Sequence, residues 1–293
     1  MKKIKKQEEI CYEAIMNLLG ADIFKEKMTD LRSLTLTKDL ENNKSIELPV
    51  YFWVLKRGGG ISTYVKDFTE YMSALGLVDF IGTKKYIMFR LEYTSDEAKF
   101  YELERLKNVI DNVKGMNRNF KGILCVDING WIDFTNSKYF KDFLSFIRQK
   151  RTNILPIFYI HKDNDIIINK IESSLSAYLR FDTIRFNFPE TSTLVDLVQR
   201  KYLQPEGFKL SEQATLFFSD MLKNIIENEA FNGFSTIEHI AKDILFFLHK
   251  NQLPKDISKN CFEQCVKLSN YINLLKSTND TKKYIGFITN NKE

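Results

Sequence analysis

Leu48-Pro-Val-Tyr-Phe-Trp-Val-Leu-Lys-Arg-Gly-Gly-Gly-Ile-Ser-Thr63 is the stretch from which the rest of the chain is read. Its first half, Leu48–Leu55, is a short apolar run rich in β-forming residues, the pattern of a buried strand. Gly58-Gly-Gly60 then lets the backbone fold tightly. Beyond it, Tyr64, Val65, Phe68, Tyr71, Met72 and Leu75 recur at the 3–4 spacing of an amphipathic helix over Ser62–Leu75. Strand, glycine turn and helix in this order is where a phosphate-binding loop would sit, because backbone N–H groups and the helix N-terminus then face an anion. A glycine turn that merely joins a strand to a helix is the equally open alternative.

Working outward, Tyr86–Tyr93, Gly122–Asp127 and Asn153–His161 read as further strands, and Asp96–Val113 and Phe140–Arg148 as helices. Strands separated by helices imply a parallel sheet with crossover helices. After about Pro189 the pattern changes to helices alone, over Leu194–Tyr202, Ser211–Glu229, Ser235–Asn251 and Lys259–Ser277. The expected organisation is an α/β body over residues 1–189, opened by a helical segment, and an all-helical piece over residues 190–293.

The 293 residues are 44% hydrophobic and 28% charged, the balance of a soluble globular protein. The longest apolar run, Ile154–Ile160, is far short of the ~18–20 residues of a membrane-spanning helix. Met1-Lys-Lys-Ile-Lys-Lys6 is basic but is followed by no signal-type apolar stretch. Four cysteines and three histidines make neither a disulfide framework nor a metal set, so free thiols and a cytoplasmic location are expected. The net charge of +5 is spread along the chain and argues weakly for nucleic acid. Basic residues interleaved with aromatics, as in Lys138-Tyr-Phe-Lys141 and Lys282-Lys-Tyr284, fit nucleic-acid contact or, more simply, a solvated face. Phe217-Phe218 and Phe246-Phe247 are expected to pack in a helical core.

A working phosphate loop has the form GxxxxGK[ST], whose lysine reaches the terminal phosphates and whose hydroxyl holds magnesium. On that pattern Gly60 fills the second glycine and Ser62 the hydroxyl, but Leu55 replaces the first glycine and Ile61 the lysine. Slipping by one residue places Ser62 at the lysine and Thr63 at the hydroxyl. A charge-assisted contact is worth about 1.5–3 kcal/mol. Its loss weakens triphosphate binding, unless Arg57 or Lys56 supplies the charge from the other side of the loop. The candidate cofactor-binding residues are therefore Arg57, Gly58, Gly59, Gly60, Ser62 and Thr63.

Ile123-Leu-Cys-Val-Asp127 adds a second element, an apolar strand ending in a carboxylate suited to magnesium. A cap at a strand end is the alternative role for Asp127. An acid directly after that aspartate would orient an attacking water, but Ile128 stands there. A missing general base costs roughly 10²–10⁴ in rate. No residue is assigned a catalytic role.

In order, these pieces resemble an AAA+ ATPase module of the CbxX/CfxQ type, the group of red-type Rubisco activases and stage V sporulation protein K. The resemblance runs through Leu18-Leu-Gly-Ala-Asp-Ile-Phe-Lys25, the loop and helix Gly58–Leu77, Gly122–Asn129 at the Walker B strand and Ile154–His161 at the sensor-1 strand. It continues through Leu179-Arg-Phe181 with Ile184–Pro189, Phe208–Ala214 at the start of a lid helix, and Lys282–Phe287. The departures fall on catalytic positions: Ile61 for the Walker A lysine, Ile128 for the Walker B glutamate, and the region of Ser235 for the sensor-2 arginine.

The resemblance implies a P-loop-type parallel sheet followed by a helical lid. It also implies ATP or ADP with Mg as the family's ligand, and Arg180 as an interface residue reaching a neighbouring subunit. Three functions are then open: a pseudo-ATPase that regulates or scaffolds related AAA+ subunits or a client protein as a homo- or hetero-oligomer, a nucleotide-binding ATPase with an atypical phosphate loop, and a nucleic-acid-binding protein.

Overall fold

Val50–Val54 (β1) is buried along its whole length, and it lies inside a five-stranded sheet rather than at its rim. The computed structural model describes residues 2–38, 48–78, 86–90, 104–108, 122–150, 154–228, 230–273 and 275. Two compact units divide the chain, one ending at Phe188 and the other beginning at Pro189.

In the first unit, helices Lys2–Met16 (α1) and Asp22–Lys38 (α2) precede β1. After β1 come Ile61–Ala74 (α3), Tyr86–Arg90 (β2), Gly122–Asp127 (β3), a 3-10 turn at Asn129–Phe134, and Lys138–Lys150 (α4). Ile154–Ile160 (β4), Asp165–Ser176 (α5) and Phe181–Arg185 (β5) complete it. The strand order is β2-β3-β4-β1-β5, and every pairing is parallel. Parallel strands carry crossover helices on both faces, so the inner strands read as continuous apolar runs. Along β1, Tyr51 and Trp53 face a core with Phe24 of α2 and Phe68 of α3, while Phe52 and Val54 face Phe143 of α4 and Ile171 of α5. The expected parallel α/β architecture is the one observed.

Some expectations fall outside the described residues. Of the helix expected over Asp96–Val113 only residues 104–108 are described, and they are helical; of the strand expected over Tyr86–Tyr93, Tyr86–Arg90 is described and extended. The Lys282–Phe287 tail lies outside them altogether. Two elements were not in the sequence reading, α5 and β5. The strand β5 sits at the sheet edge, where Asp182, Thr183 and Arg185 are only partly covered, so its sequence lacks an apolar run.

The second unit is helical: Thr191–Val198 (α6), a π-turn at Gln199–Leu203, Glu212–Ile226 (α7), Gly233–Lys250 (α8) and Lys259–Leu268 (α9). Ser211 and Ser258 open α7 and α9, their hydroxyls accepting from the N–H groups of Ala214 and Cys261 at 3.2 and 3.3 Å. The sequence reading placed no strand here, whereas Lys209–Leu210 (β6) and Asp256–Ile257 (β7) form a short parallel ladder. Two residues per strand leave no periodicity to read. The helix expected over Lys259–Ser277 is interrupted at Ser269, whose extended backbone ends α9 and whose buried hydroxyl accepts from the Ile272 N–H at 3.0 Å. Phe218 is buried as expected, but Phe246 is 58% exposed and departs from the core role expected of it. On α8 the core positions are Ile237, Ile240, Ala241, Ile244 and Leu248, and Phe246 falls off that stripe.

Candidate functional site

All five strands point their C-terminal ends to one edge of the sheet, where α/β proteins place their ligands. The helix after β1 and the helix after β4 pack on opposite faces of the sheet, so the crevice opens beside the end of β1. The glycine turn stands at that point.

Leu55 is still part of the strand system: its N–H donates to the Ile160 carbonyl at 3.2 Å and its side chain is buried. The chain then reverses, with the Gly59 N–H donating to the Lys56 carbonyl at 2.9 Å. A side chain at Gly59 would place its Cβ 2.7 Å from that same carbonyl oxygen. Gly60 takes φ 92°, a left-handed conformation that a β-carbon disfavours, and its carbonyl starts α3 by accepting from Thr63 and Tyr64 at 2.9 and 3.0 Å. The turn thus needs these glycines for its own closure, and one N–H that an anion would use is already bonded.

Ser62 and Thr63 are exposed on the first turn of α3. Lys56 and Arg57 are exposed as well, and neither pairs with an acid among the described residues. Ile61, at the Walker A lysine position, packs against the core beneath α3.

Asp127 ends β3 and is 7% exposed. In register it lies opposite Tyr159 of β4, which lies opposite Trp53 of β1, so two inter-strand spacings, about 10 Å, separate it from β1. Its Oδ1 accepts from the Asn129 backbone N–H at 2.9 Å and from Asn129 Nδ2 at 2.6 Å. Asn129 Oδ1 in turn accepts from the His161 N–H at 2.8 Å, so one amide ties the end of β3 to the end of β4. Ile128, at the Walker B glutamate position, is 1% exposed and belongs to the core on the opposite face. Two residues before Asp127, burial and then the Asp127 charge push the Cys125 thiol well up, so it is no nucleophile.

The other end of the crevice carries charge that sequence reasoning did not single out. Arg185 ends β5 opposite Val54 in register, and its guanidinium meets Asp165 at 2.8 Å and Asp163 at 4.0 Å. Asn164 between them caps α5, its Oδ1 accepting from the Ile166 and Ile167 N–H groups at 3.0 and 3.2 Å. Arg180 stands at the far end of β5, exposed, its carbonyl accepting from the Val50 N–H at 3.1 Å. Five residues of strand, about 16 Å, separate the two arginines. Gly58, Gly59, Gly60, Ser62 and Thr63 are therefore one local turn with Arg57, Asp127 stands two strands away, and Arg180 lies at the opposite sheet edge.

Tyr64 was also missed as a site residue. It is 3% exposed, its hydroxyl donates to the Leu19 carbonyl at 2.7 Å, and burial pushes that hydroxyl up to about 12. Its ring stacks on Phe186, with centroids 4.4 Å apart and planes 15° apart.

These residues do not fit a hydrolytic ATP–magnesium centre. Ile61, where the resemblance puts a lysine, is partly buried against the core, Asp127 Oδ1 carries two donors from Asn129, and Ile128, where the resemblance puts a base, is buried. What persists is the backbone of the turn with Lys56 and Arg57 beside it. Among the described residues no group of three or more His, Cys, Asp or Glu is placed to hold a metal, and no helix is long and apolar enough to cross a membrane.

No protein-family profile and no curated protein matches the chain in sequence. Solved structures do match in shape. The RuvB Holliday junction branch migration motor of Thermotoga maritima is 10% identical with a TM-score of 0.53, over 86% of this chain and 70% of that one. PCH-2 of C. elegans is 10% identical with a TM-score of 0.49, over 94% and 72%. Domain III of the Thermotoga maritima replication initiation protein DnaA is 11% identical with a TM-score of 0.47, over 87% and 95%. The fold is that of AAA+ ATPases, a P-loop-type α/β body.

Proposed function

We propose that this chain is a pseudo-ATPase of AAA+ type, a regulatory or scaffolding subunit that acts through assembly with related subunits or a client protein. The observation that carries the proposal is a pair of isoleucines. Ile61 and Ile128 hold the two positions where the chemistry needs a cation and a base, and they pack into the cores on opposite faces of the sheet. Ile128 is buried in the framework, so the framework and a charged base exclude one another there, while the partly buried Ile61 leaves the turn without its cation. A lost phosphate contact and a lost general base together remove several orders of magnitude in rate. Selection for assembly rather than turnover accounts for an AAA+ shape that keeps its turn and strands without its charges.

Arg180 fits this role. Its exposure at the end of β5 away from the glycine turn supports a role toward a neighbouring subunit. The test is phosphate release from Mg-ATP by the purified full chain. Release no faster than in buffer supports the proposal; sustained turnover overturns it.

A second reading has its own observation. Lys56 and Arg57 are exposed and unpaired among the described residues, on the turn that leads to the α3 N-terminus. A cation there favours a phosphate without providing a base, which corresponds to nucleotide binding with no hydrolysis. Calorimetric titration of ATP and ADP separates the readings. Micromolar affinity that is lost in Arg57→Ala supports the second; no heat at millimolar nucleotide leaves assembly alone.

A further inference from the structure

Strand β5 forms one rim of the sheet. Its inward bonds to β1 fall on even-numbered residues: the Val50 N–H donates to the Arg180 carbonyl at 3.1 Å, and the Phe186 N–H donates to the Val54 carbonyl at 2.8 Å. Alternate residues of a parallel strand point the other way, so the N–H and C=O groups of Phe181, Thr183 and Arg185 face outward. No backbone group among the described residues bonds to them. The next outward N–H, that of Asn187, donates to the Gly20 carbonyl at 2.8 Å and closes the open row at that end. Proline, lysine and bulges guard many strand edges, and β5 has none of them. Its two charges are met within the chain, Asp182 by Lys27 at 3.0 Å and Arg185 by Asp165 at 2.8 Å.

Helix α2 borders this row. It runs antiparallel to β5, because Gly20 before its start meets Asn187 beyond the end of the strand, and Lys27 meets Asp182 farther back. Phe24, Met28 and Leu31 bury one side of α2, and Arg32 ties another side to Glu8 and Glu9 of α1. The flank that carries Lys27 also holds Ile23, Asp30 and Leu34, all within about 40° of one another around the helix. Ile23 is 43% exposed and Leu34 55% exposed. Asp30 is exposed and makes no ion pair among the described residues. Laid against its own reverse, this stripe is self-complementary: Ile23 falls on Leu34, and Lys27 falls on Asp30.

Row and stripe each have a centre, and the two centres coincide. The open row is centred on Thr183, about 13 Å along the strand from Asn187. The stripe is centred midway between Lys27 and Asp30, about 13 Å along the helix from Gly20. Gly20 and Asn187 are bonded to each other, so both centres stand at one level of the rim. A surface that is its own complement about one axis is what an isologous dimer requires. We propose that this rim is the interface of a two-fold homodimer, with β5 of one copy paired antiparallel to β5 of the other. Thr183 then faces Thr183 of the second copy, and Phe181 of each copy faces Arg185 of the other, each pair exchanging both backbone hydrogen bonds. Lys27 of each copy meets Asp30 of the other, and Ile23 meets Leu34. Arg180 flanks the same rim. The inference deepens the assembly reading and rests on it, naming a second copy of the chain as the partner. The two fail separately: ATP turnover overturns the pseudo-ATPase without touching the dimer, whereas sedimentation tests the rim.

The test is sedimentation velocity of the purified full chain over a concentration series, for wild type, Asp30→Lys, Lys27→Glu, an equimolar mixture of those two variants, and Thr183→Pro. Wild type is expected to reach dimer. Asp30→Lys and Lys27→Glu each set like charges opposite one another on both sides of the axis, so each is expected to self-associate at least roughly tenfold more weakly. The mixture is expected to restore the dimer, because each variant then brings the charge that the other lacks. Thr183→Pro removes an outward N–H that its own sheet does not use, and is expected to sediment as monomer. Wild type that stays monomeric at high micromolar concentration would overturn the proposal. So would an oligomer of any size that Asp30→Lys leaves unchanged. A mixture no more associated than its separate folded components would overturn the pairing of Lys27 with Asp30, and a dimer that survives Thr183→Pro would overturn the pairing of β5. If Lys27→Glu or Thr183→Pro does not fold, Asp30→Lys, at an exposed position, decides: weakened self-association upholds the rim and unchanged self-association overturns it.

Discussion

The side-chain amide of Asn129 joins Asp127 to the backbone of His161, donating to one at 2.6 Å and accepting from the other at 2.8 Å. Parallel β3 and β4 are thereby clasped at their C-terminal ends. The same contact occupies Oδ1 of the Asp127 carboxylate. Removing the clasp leaves a nearly buried carboxylate with fewer donors, so Asn129→Ala should lower stability by about 1–3 kcal/mol in urea unfolding. Asn129→Asp should cost more than Asn129→Ala in the same measurement, because it replaces the amide donor with a second carboxylate beside Asp127.

Restoring the missing charges should not restore an enzyme. Ile128→Glu places an unpaired carboxylate in a core position that is 1% exposed, at an expected cost of about 3–5 kcal/mol. Ile61→Lys should cost no more than about 1 kcal/mol, because Ile61 is only partly buried and a lysine stem can run along the core to place its charge in water. Chemical denaturation of the two single variants measures the asymmetry. Equal costs would contradict the placement of Ile128 in the core.

Thiol reactivity should follow burial. Cys11, Cys125 and Cys265 are buried and Cys261 is partly exposed, so limited alkylation of the native chain at pH 8 should mark Cys261 first by mass spectrometry. Burial, followed by the neighbouring Cys261, raises the Cys265 thiol from 9.0 to about 11. Because the folded value lies above the unfolded one, the stability this thiol contributes is full below pH 9 and is lost as pH rises toward 11. Cys265→Ala should therefore flatten the alkaline limb of the stability profile.

Arg180→Ala should leave the melting temperature within the error of a surface change, about 0.5 kcal/mol in stability, because the side chain is exposed. If the proposed assembly is a homo-oligomer, its effect should be on that assembly, read by sedimentation velocity as a shift toward monomer. An unchanged distribution would remove Arg180 from the interface.

How much of this was legible in the sequence depends on burial. Strands β1, β3 and β4 lie inside the sheet, and their apolar runs announce them. Edge strand β5 reads as Phe-Asp-Thr-Ile-Arg, with only Ile184 fully buried, and gives no such signal. Helix α5 was hidden because Ile166-Ile-Ile168 resembles a strand fragment, although Ile166 is 80% exposed; Asn164 ahead of it was the readable cap. Asp127 followed two residues later by Asn129 is the spacing of a side-chain-capped turn, and the cap role weighed for Asp127 is the contact observed. Nothing local marks Tyr64, because its partners Leu19 and Phe186 are distant in sequence and only folding brings them together.

The most direct measurement is phosphate release from Mg-ATP at millimolar concentration by the purified full chain, alongside Arg57→Ala. The account predicts release indistinguishable from buffer in both. Turnover by the wild-type chain that falls away in Arg57→Ala would contradict it, and would make the glycine turn a working phosphate loop that uses a cation from its own opposite side.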